Sequence, residues 1–402
     1  MKAAGVVVEY NPLHNGHVHH LKETRRITDA DVVIAVMSGN FLQRGEPAFI
    51  DKWTRTELAL TSGADIVLEL PYRFAVAQAS EFAEGAIGIL AAARCSMYCF
   101  GSEDGRIEPF LNTLRLLEDE ETGYEAEVRR LVKTGISYPS ALSQAYRSVA
   151  EASADTGPLA DLTKPNNILG FHYMKAARSI APEMTAFTIG RTGTGYHDLV
   201  ADPDSGIMSA TAIREAVRTE GITDGVLRAV PARTASAMDL FREEHSGFGG
   251  WDRFWPILRP LIIRDGAGRL RETAEMTEGL EHRIVRAALE ASTFTEFMEA
   301  VKTKRYTWTR IQRILIHVLC GMDRNDFSRL RHPRYLRLLG MTAAGRTYLN
   351  LYKDDFGLPL VSRAASSDDP MLAADIRASD MYAVGIGDRP GKDFRTRPIM
   401  TD

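Results

Sequence analysis

The sequence predicts an α/β fold, with a doubly wound parallel sheet in its first half and a mainly helical second half. Three observations carry that expectation. Apolar runs, mostly β-branched, recur at residues 6–8, 31–37, 66–70, 97–100 and 186–189, each short enough for a strand buried on both faces. Segments of helical spacing separate them, as expected of parallel strands joined by crossover helices. Beyond Glu220 helical spacing prevails, over residues 231–241, 281–291, 294–301 and 308–319, with a short α/β piece at 335–351.

In chain order, the first strand stops at Asn11-Pro12 and a helix opens at His14, running to about residue 28. The second strand ends in a polar loop, Ser38-Gly39-Asn40-Phe41-Leu42-Gln43-Arg44-Gly45-Glu46-Pro47, before a helix over 51–62 that places Lys52 and Arg55 on one face. An apolar helix is expected at 77–93. Residues 108–151 form a charged helical excursion whose Leu111, Leu114, Leu116 and Leu117 suit a cover for the sheet edge. Pro165 and Asn166-Asn167 open the next helix, and Ser209 or Thr211 caps another. Pro256 and Pro260 should break or kink any helix over 253–263. The expected division is residues 1–225 and residues 226–402.

With 402 residues and 45% hydrophobic content, each part has enough apolar material for a core. Three cysteines, Cys95, Cys99 and Cys320, make no disulfide framework and read as reduced core residues of a cytoplasmic protein. No signal peptide and no membrane-spanning stretch is expected. The net charge of −4 is uneven: residues 1–240 carry 23 basic and 31 acidic side chains, residues 241–402 carry 26 and 22. Between residues 301 and 350 stand 11 Lys or Arg against two Asp, with Tyr306, Trp308, Tyr335 and Tyr348 among them. Such a stretch suits a polyanion, although a solvated helical face gives similar counts.

The chemistry concentrates at the strand ends, where an open parallel sheet binds its ligands. In Val7-Val8-Glu9-Tyr10-Asn11-Pro12-Leu13-His14-Asn15-Gly16-His17-Val18-His19-His20 a strand, a turn and a helix N-terminus follow one another. Unpaired N–H groups and the positive end of the helix dipole favour a phosphate there. Gly16 allows close approach, and His14 and His17 lie on one helix face as donors. Two such histidines can also be surface residues or metal ligands with His19 and His20, but no Glu follows in the His-Glu-x-x-His manner and no Cys lies near. No metal site is expected. Near residue 209 the pattern Ser209-Ala210-Thr211-Ala212-Ile213-Arg214 caps a helix and sets Arg214 one turn inside, where its guanidinium can fork onto phosphates.

His14-Asn15-Gly16-His17 is the His-x-Gly-His signature of the nucleotidylyltransferases, whose sheet is Rossmann-like. Ser209 to Arg214 matches their later Ser-x-Thr-x-Ile-Arg at every fixed position. Together with Gln43-Arg44-Gly45-Glu46-Pro47, Gly63-Ala64-Asp65, Glu69-Leu70-Pro71, Lys164-Pro165-Asn166-Asn167-Ile168-Leu169-Gly170 and Arg310-Ile311-Gln312-Arg313, the chain resembles the bacterial tRNA(Met) cytidine acetate ligase family over nearly its whole length. The resemblance implies that acetate and ATP, with Mg²⁺, give acetyl-adenylate, and that the acetyl group passes to N4 of the wobble cytidine of elongator tRNA(Met). It implies ATP contacts from Val7 to His20 and at Gly101, Asn166 or Asn167, and Arg191. Ser209, Thr211 and Arg214 would join them at the phosphates.

Lys52 and Arg55 would handle the substrate or form a surface pair. Lys304, Arg305, Arg310 and Arg313 would hold the tRNA anticodon arm, and no protein partner is inferable. The alternatives are an adenylyltransferase for a small phosphate ester, such as pantetheine phosphate or nicotinamide mononucleotide, and a non-catalytic RNA-binding protein that retains ATP. Adenylation of a carboxylate needs no general base, and the sequence shows only His, Arg, Lys, Asn and backbone donors for the site.

Overall fold

The structure, a computed structural model, describes residues 1–118, 123–136, 138–152, 157–190 and 208–402. Strand β1 (Ala3–Val8) leads into α1 (Asn15–Thr28), β2 (Val32–Ser38) into α2 (Lys52–Thr61), and β3 (Ile66–Leu70) into α3 (Tyr72–Ala75) and α4 (Ala79–Ala92). After β4 (Met97–Ser102) come α5 (Glu108–Glu118), α6 (Tyr124–Lys133), α7 (Tyr138–Ala152), α8 (Pro165–Ile180) and β5 (Thr185–Gly190). These five strands are parallel in the order β5-β4-β1-β2-β3. The chain moves from β1 outward to β3 and then crosses back to β4. The switch point therefore lies between β1 and β4, where such sheets open a crevice at their carboxyl ends.

The helical part comprises α9 (Ala210–Thr219), α10 (Asp224–Ala229), α11 (Ala232–His245), α12 (Trp251–Leu270), α13 (Leu280–Glu290), α14 (Phe294–Val301), α15 (Trp308–Cys320) and α16 (Arg324–Arg329). The chain then returns to the sheet through β6 (Leu336–Met341), α17 (Ala343–Tyr352), β7 (Leu360–Val361), α18 (Pro370–Ile386), α19 (Lys392–Arg395) and β8 (Ile399–Met400). β6 pairs antiparallel with β3, Glu69 facing Arg337, and carries β7 and β8 beside it. The expected division at residue 225 is corrected by this return, because both parts of the chain build one sheet.

Period-2 alternation in buried strands fixes the two layers. Val33, Ala35 and Met37 of β2 face a core built with α2, α9 and α11–α15. Their neighbours Val32, Ile34 and Val36 face the opposite core, built with α4, α8 and α17. Among the described residues of the excursion 108–151, α5 joins that second core through Phe110 and Leu114. Helices α6 and α7 pack on each other around Val128, Leu131, Ala141 and Ala145 instead of covering a sheet edge.

Pro256 and Pro260 do not break α12. Both lie on its exposed face, so the carbonyls that lose their N–H partners meet water, while Phe254, Trp255, Leu258 and Ile262 hold the buried face. The departure from helical geometry occurs at Gly266, at φ 60° and ψ 178°. All three cysteines are buried and unpaired. Among the described residues no helix is long and apolar enough to cross a membrane.

Candidate active site

The site is built up from the turn after β1. Tyr10 sits at φ 51°, a conformation costly for an aromatic residue and sustained here by full burial of its side chain. Beyond it Asn11 Oδ1 accepts from Phe49 N at 2.7 Å, tying the turn to the loop after β2. His14 then caps α1 in extended conformation, and its Nδ1 accepts from Gly16 N at 3.0 Å. His17 Nδ1 accepts in turn from His14 N at 3.3 Å. The two rings stack with centroids 3.8 Å apart. Because each Nδ1 is an acceptor, a neutral ring carries its proton on Nε2, which makes both imidazoles donors at the helix end. A Cβ at Gly16 would fall 2.8 Å from His14 Cε1, so glycine is what lets that ring lie across the first turn.

Above this helix end opens a cavity of about 300 Å³ at the switch point. Its floor is Val7, Val8, Glu9, Tyr10, Asn11, His14, Gly16, His17, His19 and His20. One flank is Gly101 of β4 with Asn166, Leu169 and Tyr173 of α8, and the other is Leu42, Gln43, Arg44 and Glu46 from the loop between β2 and α2. Met208, Ser209, Ala210, Thr211 and Arg214 close it from above. Ser209 caps α9 by accepting from Ala212 N at 3.1 Å, which fixes where Arg214 emerges. Arg214 Nη1 donates to Asn11 O at 2.8 Å, and its Nη2 lies 3.5 Å from Glu46 Oε2.

Two of the lining groups are carboxylates: Glu9, within the expected stretch from Val7 to His20, and Glu46, which was not among the expected contacts. Glu9 Oε1 accepts from Gln43 N at 2.8 Å, and burial holds its carboxyl above the usual range, opposed by that hydrogen bond and by Arg44 and Arg55. Leu42, Gln43, Glu46, Phe82 and Tyr173 are lining residues that were likewise not singled out. The loop's Gln-Arg-Gly-Glu-Pro block was a usable signal for Gln43, Arg44 and Glu46, but nothing local marks Phe82 or Tyr173, which come in from helices.

Other expected positions stand elsewhere. Pro12 and Leu13 are buried under the turn, Asn15 Nδ2 donates to Arg228 O at 2.7 Å, and Val18 packs against the core, so none of the four lines the cavity. Asn166 lines it, with Nδ2 held by Glu103 Oε1 at 2.8 Å. Asn167 is fully buried and spends its amide on Glu103 N and Asp161 O, a structural clamp between β4 and α8. Arg191 and the glycine-rich loop after it lie outside the described residues.

Lys52 and Arg55 are neither substrate ligands nor a surface pair, since both are fully buried. Lys52 Nζ lies 2.8 Å from both Glu69 Oε1 and Asp393 Oδ1. Arg55 donates to the carbonyls of Glu9, Ser38, Gly39 and Ile50, gathering the ends of β1 and β2. Arg313 is also corrected as a tRNA contact: it is buried and forks onto Glu275 at 3.0 and 2.9 Å. Arg310 is half-buried, its Nη2 directed at Glu275 O. Helix α15 instead props the cavity wall. A Cβ at Gly45, which sits at φ 74°, would fall 2.3 Å from Arg313 N, and the Gln312 amide, oriented to satisfy both neighbours, donates to Arg44 O and accepts from Trp251 Nε1. Lys304 and Arg305 are exposed.

A model of the HIGH Nucleotidyl Transferase family matches residues 1–393. The chain is 46% identical to the tRNA(Met) cytidine acetate ligase of Lysinibacillus sphaericus, over 99% of this chain and 100% of that protein. It is 41% identical to the tRNA(Met) cytidine acetate ligase of Bacillus subtilis, over 96% and 93%. The chain belongs to the tRNA(Met) cytidine acetate ligase family. Its fold agrees with that placement: apo TmcAL from Thermotoga maritima superposes with a TM-score of 0.91 at 33% identity, covering 100% of this chain and 99% of that one. The same Thermotoga protein bound with alpha-thio ATP superposes at 0.89 and 32% identity, with the same coverage. The alternation of strands and helices and the His-x-Gly-His opening are thus those of a family in which a member's structure holds an ATP analogue.

Proposed function

We propose that this chain activates acetate with ATP to acetyl-adenylate and transfers the acetyl group to N4 of the wobble cytidine of elongator tRNA(Met). The observation that carries the reading is the cavity at the β1–β4 switch point, where the N-terminus of α1, the imidazoles of His14 and His17, and Arg214 converge. Such donors suit a triphosphate whose α-phosphorus is attacked in line by a carboxylate. Acetate is already ionised at neutral pH, so the first step calls for charge neutralisation and alignment rather than for a base. ATP enters with its adenosine toward Gly101, Asn166 and Leu169 and its phosphates toward His14, His17 and Arg214. Asn11 O and Glu46 hold the Arg214 guanidinium near that place beforehand.

Among the described residues no group of three His, Cys, Asp or Glu is placed to hold a metal. Mg²⁺ would fit this site as a companion of the triphosphate, with Glu46 the lining carboxylate nearest the phosphate-binding Arg214, and it would neutralise charge on the leaving pyrophosphate. The tRNA anticodon arm is met by exposed basic residues of the second half, Lys304 and Arg305 among them, and its cytidine must leave the anticodon stack to reach the cavity. The enzyme works in the cytoplasm, where its tRNA and ATP are.

Pyrophosphate release from ATP alone, with acetate, and with pantetheine phosphate or nicotinamide mononucleotide separates the readings. Release that requires acetate is expected. Release that requires a phosphate ester overturns the ligase in favour of an adenylyltransferase, and none with any substrate favours an ATP-retaining RNA-binding protein.

A further inference from the structure

Acyl transfer to an exocyclic amine has a requirement that adenylation lacks. The N4 lone pair forms a bond to the acetyl carbon, the bond from that carbon to the phosphate oxygen breaks with its electron pair leaving on AMP, and N4 must shed one proton. A group that takes this proton has to lie beside the α-phosphate and be free of the task of gripping phosphates.

The lining of the cavity narrows the choice. His14 and His17 each accept a backbone N–H at Nδ1, so in the neutral ring Nε2 bears hydrogen and acts as donor. Glu46 faces Arg214 across 3.5 Å and holds the arginine assigned to the phosphates. Glu9 is the other lining carboxylate among the described residues. It follows directly on the central strand β1, between the flank on β4 and α8 and the loop after β2 on the opposite side. Oε1 is fixed by Gln43 N at 2.8 Å, and among the described residues Oε2 has no hydrogen-bond partner.

We infer that Glu9 is the proton acceptor for the acetyl-transfer half-reaction, an inference that rests on the ligase reading above. Its surroundings suit the task. Arg44 and Glu46 face it from the loop after β2, Arg55 from α2 and Tyr173 from α8. Burial outweighs the two arginines and makes the carboxylate a stronger base than a solvated one. After the products leave, the cavity is open to water, which takes the proton from Glu9.

Single-turnover measurements on the full-length enzyme with ATP, acetate and tRNA test this by reading two rates in one sample: acetate-dependent pyrophosphate formation and acetyl transfer to tRNA. In Glu9→Gln the side-chain carbonyl can still accept from Gln43 N, so the loop keeps its anchor. Transfer is expected to fall at least about a hundredfold further than pyrophosphate formation, the range for loss of a general base. Wild-type transfer should rise with pH as Glu9 ionises, Glu9→Gln should lack that rise, and Glu9→Asp should recover part of the rate. Equal losses in both rates, or a wild-type pH rise persisting in Glu9→Gln, overturn the inference. Absence of acetate-dependent pyrophosphate formation in the wild type overturns the ligase reading itself, and Glu9 with it.

Discussion

His14 and His17 form one hydrogen-bonded unit: their rings stack 3.8 Å apart, and His17 Nδ1 accepts the N–H of the residue whose own Nδ1 caps the helix. Capping therefore occupies one nitrogen of each ring and leaves the other for the ligand role proposed above. The backbone takes Nδ1, so in a neutral ring the proton stands on Nε2. This division explains how two histidines can act as donors without either being protonated twice.

Replacing His17 by Ala removes one pre-positioned donor and loosens the other. Acetate-dependent pyrophosphate formation should fall by at least about a hundredfold, the usual cost of one such donor. Near-normal formation in His17→Ala would refute its role.

The Lys52 cluster gives a prediction about stability instead of catalysis. Lys52 joins Glu69 of β3 to Asp393 of α19, so it holds the returning end of the chain against the sheet. Lys52→Met would leave two buried carboxylates short of a partner, at a cost of about 3–5 kcal/mol. Chemical denaturation should show a midpoint well below wild type; an unchanged midpoint would mean that the cluster relaxes without penalty.

Asp375 supplies a pH dependence. Burial and the neighbouring Glu69 raise its carboxyl from 3.8 to about 8, while Tyr335 Oη and Tyr72 N donate to it. Below 3.8 the folded and unfolded chains both carry the proton. Above it the unfolded chain gives the proton up and the folded one keeps it, so this group's contribution to stability is lost as pH rises toward about 8 and then levels off. Asp375→Asn, neutral throughout, should flatten that part of the stability profile in thermal melts across this range. Parallel profiles for the two proteins would contradict the assignment.

Much of this architecture was legible in the sequence because local signals and tertiary structure agree. Strand runs buried on both faces, a proline-marked turn and a glycine beside a capping histidine point to the same crevice that the sheet opens. The sequence was silent where a residue's role depends on distant partners. Lys52 and Arg55 look like a polar helix face until Glu69, Asp393 and the carbonyls of Glu9 and Ser38 close around them. The Arg-Ile-Gln-Arg block of α15 looks like a basic patch, yet Glu275 and the backbone of Arg44 absorb Arg313 and Gln312. The Glu9 carboxylate lay within the motif, but its place between two flanks of a cavity follows from strand order, which no local pattern encodes.

The basic residues left at the surface carry the next prediction. Reversing charge at Lys304 and Arg305 should weaken tRNA binding and reduce its salt dependence, the mark of lost phosphate contacts. Pyrophosphate exchange, which needs no tRNA, should persist. Binding curves that coincide with wild type at every salt concentration would place the tRNA elsewhere.

The central claim is that acetate itself, activated by ATP in the crevice between β1 and β4, becomes the acetyl group on tRNA. Mass analysis of the nucleosides of elongator tRNA(Met) after incubation with the enzyme, ATP and isotopically labelled acetate tests it most directly. The account predicts labelled N4-acetylcytidine at the wobble position, dependent on ATP and undiminished when acetyl-CoA is absent. Unmodified cytidine, or an acetyl group that comes only from acetyl-CoA, would contradict it.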